Sequence, residues 1–84
     1  MNIYKYSIEP FSTIEINCKG VISAIEQHGT LIVYVIVGVG DERNYPHQIK
    51  CVGTGQLDNK LDDTWLHVDT VKVGLYVWHV FYKF

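Results

Sequence analysis

The chain has 84 residues, which is enough for one domain spanning 1–84 and too few for two. Hydrophobic residues make up 48% and charged residues 19%, a balance that excludes a disordered chain. The formal net charge of −2 argues against non-specific nucleic-acid binding and against docking on an anionic membrane, both of which need a basic surface.

Val, Ile and Thr account for 25 of the 84 residues, and Ala24 is the only alanine. Such side chains suit a pleated surface better than a helix. The first strand is expected over Ile3–Ile8, stopped by Pro10. This segment alternates polar and apolar residues and lacks the apolar run of a secretory leader. Thr13–Asn17 alternates with the period of a half-buried strand, and Cys18-Lys19-Gly20 breaks it.

Val21–Gln27 and Thr30–Val37 flank His28-Gly29, the signature of a two-residue hairpin turn. That register sets Ile25 against Ile32 and Ser23 against Tyr34. The second of these strands is apolar on both faces, so it is central and doubly covered, or it lies against a partner subunit. The longest apolar run, Leu31 to Val39, is about half of a bilayer span. Arg43–Val52 reads as another strand, with Pro46 arguing for an edge or a bulge. Gln56–Thr64 is poor in β formers and reads as a loop or a single helical turn.

Trp65–Val73 and Leu75–Phe84 form the last hairpin, across Gly74. A three-residue loop would set His79 against Asp69. A two-residue loop would set it against Val68, on the opposite side of the sheet from His67. The total is six or seven strands joined by short turns. The fold class is therefore all-β, an antiparallel sandwich or a small barrel built from hairpins.

No constellation nominates a reaction, and the chain is read as a binding protein rather than an enzyme. Ser7, Ser12 and Ser23 lie in no nucleophile elbow. His28, His47, His67 and His79 lack metal-ligand spacing, and Asp58, Asp62 and Asp63 lack the spacing of a calcium loop. No metal or other cofactor is expected. Cys18 and Cys51 are read as reduced, packed thiols of a cytosolic protein.

Two features do suggest a site. In the turn Gly53-Thr54-Gly55, backbone N–H groups could converge on an anion, with the Thr54 hydroxyl as an extra donor. Trp78 and His79 are the expected further members of such a ligand site. The second feature is the surplus of aromatics, with Tyr34, Tyr76, Trp78 and Tyr82 as a candidate interaction surface. The same residues could equally fill a sandwich core reached from both sides.

Lys5-Tyr6, Gly29, the Val52-Gly53-Thr54-Gly55 turn and the ending Val77-Trp78-His79-Val80-Phe81 resemble a family of small bacteriophage proteins. Gln56 stands where that family often has His, and Asp69 where it often has Gly. The resemblance implies a phage-encoded accessory protein acting in the bacterial host cytoplasm. By analogy with other small acidic phage proteins, it would bind and inhibit a host defence component, as a homodimer or higher homo-oligomer. Two alternatives remain open: sequestration of a nucleotide immune signal, with phosphate at Thr54 and the base on Trp78, or a structural role in the virion.

Overall fold

The structure is a computed structural model, and it describes residues 1–56 and 58–84. Among them there are seven strands, all paired antiparallel, and no helix. The strands are β1 (Asn2–Ser7), β2 (Thr13–Cys18), β3 (Gly20–Gln27), β4 (Thr30–Val37), β5 (Tyr45–Gly53), β6 (Leu66–Val73) and β7 (Tyr76–Lys83). They form a three-stranded sheet, β1-β4-β3, and a four-stranded sheet, β2-β5-β7-β6. The architecture is an open sandwich rather than a closed barrel.

The two sheets enclose a core in which Val33, Val35, Cys18, Ile49 and Val80 are fully buried. Alternation along each strand produces it. In the larger sheet, Ile14 pairs with Ile49 and Ile49 with Tyr82, while Cys51 pairs with Val80. Residues directly opposite share a face, so these rows all point inward. Burial pushes the Cys51 thiol up to about 11 and raises that of Cys18, so both stay protonated and unreactive at neutral pH.

The chain passes from one sheet to the other between Cys18 and Gly20, where Lys19 N–H donates to the Ile36 carbonyl at 2.7 Å. The sheets meet again at β3 and β6. There Asp69 points inward opposite Val80 and accepts from Ala24 N–H at 3.2 Å. β1 is an edge strand whose six residues are all exposed, Ile3, Tyr4 and Tyr6 among them.

The first hairpin has the expected register, Ile25 with Ile32 and Ser23 with Tyr34. His28 and Gly29 both take positive φ, at 53° and 79°, as a type I′ turn requires. β4 is central in its sheet and apolar on both faces, as its sequence suggests. β5 is central too, so Pro46 does not mark an edge strand. Proline is tolerated because it stands second in β5 and faces only Asn17, before pairing with β7 begins at Gln48.

The last hairpin departs from both expected registers. Its loop is Gly74-Leu75, and His79 faces Thr70. A bulge between His67 and Asp69 then inserts Val68 as an unopposed residue. That extra residue reverses the alternation, so His67 and His79 lie on the same side of the sheet and not on opposite sides. The loop reading of Gln56–Thr64 includes position 57, which lies outside the described residues. The rest of that segment consists of turns, capped by the Asp58 and Asp62 carboxylates on Lys60 N–H and Thr64 N–H.

Candidate functional site

Four connections lie at one end of the sandwich: the β1–β2 turn, the His28-Gly29 turn, the exit of β5 and the Gly74-Leu75 turn. Between them two hollows open on either side of Trp78. One, of about 450 Å³, is lined by Phe11, Gly53, Thr54, Gln56, Leu75, Tyr76, Val77 and Trp78. The other, of about 300 Å³, has Glu9, Pro10, Gly29, Thr30, Val73 and Trp78 among its walls.

Trp78 is the floor of this site. It starts from the inward face of β7 and is almost fully buried, at 8% exposure. It rests against Gly53, the residue it pairs with across the sheet. A Cβ at position 53 would lie 3.0 Å from the indole ring, so glycine at this position leaves the space that the ring occupies.

Phe11 supplies a wall. The turn Glu9–Ser12 closes with Ser12 N–H donating to the Glu9 carbonyl at 3.2 Å. Pro10 stands second and Phe11 third, with φ of 64° at Phe11. This is the pattern of a type II turn, whose third position favours glycine. A bulky residue there costs about 1–2 kcal/mol. Phe11 gains little burial in return, remaining 65% exposed with its ring edge-on to Trp78, centroids 5.0 Å apart and planes at 90°. Strain borne by an exposed side chain on a cavity rim points to function rather than folding.

Leu75 and Tyr76 form the opposite rim, 94% and 68% exposed. Tyr76 lies 6.2 Å from Trp78 between ring centroids. Three large apolar side chains at neighbouring turn tips, around a hollow with an aromatic floor, make an exposed apolar patch of the kind that marks interaction sites.

The Gly53-Thr54-Gly55 turn is held together by internal hydrogen bonds. Gly53 N–H donates to Gln56 Oε1 at 2.9 Å, Thr54 N–H to the Val77 carbonyl at 3.1 Å, and Gln56 N–H to the Gly53 carbonyl at 3.2 Å. The amides of Gly53, Thr54 and Gln56 are thus already engaged. Gly55, at φ of 79°, shapes the turn and does not line the hollow.

His79 lies on the other face of β7 from Trp78. Its Nε2 is 2.7 Å from Thr54 Oγ1 and its Nδ1 is 3.0 Å from Thr70 Oγ1. Thr70 Oγ1 in turn is 2.9 Å from His67 Nε2. The Thr54 hydroxyl also donates to the Val77 carbonyl at 3.3 Å. His79 thereby ties the β5 exit to the last hairpin and holds Thr54 at the edge of the hollow. Val68, the bulge residue, makes this chain possible.

The structure therefore brings Gly53, Thr54, Tyr76 and Trp78 together and places His79 behind them. It does not gather the four aromatics into one surface. Tyr34 is on the other sheet, opposite Lys5 and Ser23. Tyr82 packs half-buried against the core at the far end of β7, beside His47. Gln56, at the end of the glycine turn, also lines the hollow, and Phe11 and Leu75, which sequence reasoning did not single out, complete it. An aromatic directly after a turn proline and a leucine beside a hairpin glycine were the available signals. Among the described residues no three His, Cys, Asp or Glu side chains stand close enough to hold a metal ion, and no helix is long and apolar enough to cross a membrane.

One family model, described as Domain of unknown function (DUF7352), matches residues 1–84. No curated protein and no solved structure matches the chain.

Proposed function

The chain belongs to the DUF7352 family, and we propose that it acts by binding a partner protein at the Trp78 end of the sandwich, without catalysing a reaction. The observation that carries this reading is the exposed rim of Phe11, Leu75 and Tyr76 around a buried tryptophan. None of the three rim residues belongs to the buried core. Apolar anchors grouped around a desolvated pocket are how protein interfaces concentrate their affinity.

The partner we propose is a bacterial defence component, inhibited in the host cytoplasm by a phage-encoded accessory protein. This part rests on the likeness of the VGTG turn and the VWHVF ending to small phage proteins, and on analogy with how such proteins act. The nucleotide alternative has less support, because the Gly53 and Thr54 amides of that turn are internally paired and Gly55 does not line the hollow.

Plating of a defence-sensitive phage on cells carrying a panel of defence systems tests the proposal. Expression of the chain should raise plating against one system. The double variant Leu75→Ser/Tyr76→Ser should leave plating at the vector level, since both side chains are on the exposed rim and their loss leaves the core intact. Equal rescue by the double variant, or no rescue by the wild type against any system, would contradict it.

A further inference from the structure

We infer that the corner formed by Phe11, Tyr76 and Trp78 receives a positively charged side chain, a lysine ammonium or an arginine guanidinium, presented by the partner. The inference rests on the partner-binding reading above and names the chemistry of its anchor.

Three aromatic rings line one hollow of about 450 Å³. The Phe11 and Trp78 planes stand at 90° with centroids 5.0 Å apart, and Tyr76 is inclined at 38° to Trp78 with centroids 6.2 Å apart. Ring faces carry negative potential, and a cation within about 6 Å of a ring centroid is attracted to it. Phe11 meets Trp78 edge to face and Tyr76 stands beside them, so three aromatic side chains border one hollow; aromatic-lined hollows are where alkylated ammonium groups are recognised.

The other tryptophan provides an internal comparison. Trp65 carries two of the protein's own cations over its ring, Lys50 Nζ at 4.9 Å and Lys83 Nζ at 4.6 Å from the centroid. Trp78 has no such cation among the described residues, and no charged side chain lines its larger hollow. Among the described residues the chain thus supplies its own cations to Trp65 and none to Trp78, whose hollow has more aromatic neighbours.

Charge points the same way. Glu9 lines the adjoining hollow across Trp78, and among the described residues no cation pairs with it. The chain is negative overall. An anionic group would meet ring faces and engaged amides, and nothing in the larger hollow would neutralise it. The strained backbone at Phe11 fits as well, because it fixes the second wall of the corner before any partner arrives.

The test compares choline with 3,3-dimethyl-1-butanol, a neutral molecule of the same shape, each titrated into the full chain and followed by NMR. Choline should shift the Trp78 indole resonances saturably and leave those of Trp65 unmoved. Its Kd should be about tenfold lower than that of the neutral molecule, given the strength of cation–π contacts in partly desolvated sites. Tyr76→Leu, on an exposed residue, should weaken choline binding several-fold with the fold intact. Equal or tighter binding of the neutral molecule would overturn the inference while leaving the apolar groove as a partner site. So would choline binding that Tyr76→Leu does not alter, or no saturable binding of choline. Failure of the plating experiment would instead remove the partner-binding reading itself.

Discussion

Ile49→Ala is expected to lower the thermal midpoint by about 12–24 °C. Ile49 is fully buried in β5, the strand flanked by β2 on one side and β7 on the other. Its side chain lies in the inward row between Ile14 and Tyr82. Truncating a buried isoleucine to alanine costs about 2–5 kcal/mol, because the removed methyl groups leave a cavity that close-packed neighbours fill only in part. At about 0.05–0.15 kcal/mol per residue, a chain of this length has a total stability on the order of 4–13 kcal/mol. A loss of about 3 kcal/mol, at about 4–8 °C per kcal/mol for a domain of this size, gives the stated shift. Calorimetry of the wild type and the variant measures it. A shift under about 4 °C would mean that the core between the two sheets is not close-packed around β5.

Phe11→Gly should do the reverse: leave stability nearly unchanged and remove function. Glycine relieves the positive φ at position 11, worth about 1–2 kcal/mol. It forfeits the edge contact with Trp78, worth about 0.5–1.5 kcal/mol, and it adds freedom to the unfolded chain, which costs about 0.5–1 kcal/mol. These terms nearly cancel, so the thermal midpoint should move by only a few degrees. The wall of the hollow is nonetheless gone. Truncating an interface anchor of this kind costs about 2 kcal/mol or more, equivalent to a loss of about thirtyfold in affinity. Phage plating with this variant should therefore fall to the vector level while the folded protein accumulates normally. A large drop in midpoint would mean instead that Phe11 is a structural residue, and the strain argument would fail.

Much of the fold was legible because local chemistry and global pairing agree. His28-Gly29 demands positive φ, and the apolar Thr30–Val37 segment takes one of the two places open to it, the middle of a sheet. The last hairpin was harder to read. Leu75 has the composition of a strand residue but forms half of the loop, which moves His79 opposite Thr70. The bulge at Val68 leaves no mark in the sequence, since Val suits a regular strand equally well, yet it decides which face His67 occupies.

The site divides along the same line. Gly53, Thr54 and Trp78 come together because β5 and β7 are neighbours, a non-local pairing that strand composition does not specify. Phe11 reaches them only through a turn that proline directs and that phenylalanine disfavours. A rule of turn preference is broken there, and no local pattern announces where the displaced ring will lie. Tyr34, Tyr76, Trp78 and Tyr82 share a composition but not a surface, because a two-sheet arrangement separates residues that a one-dimensional count groups together.

The central claim is that the Trp78 end of the sandwich is a partner-binding surface, and capture from host lysate tests it most directly. Immobilised wild-type chain and the Leu75→Ser/Tyr76→Ser variant should have matching thermal midpoints. The wild type should retain one host protein at near-equimolar amount, and the variant should lose it. Retention of that protein by both, or by neither, would contradict the account.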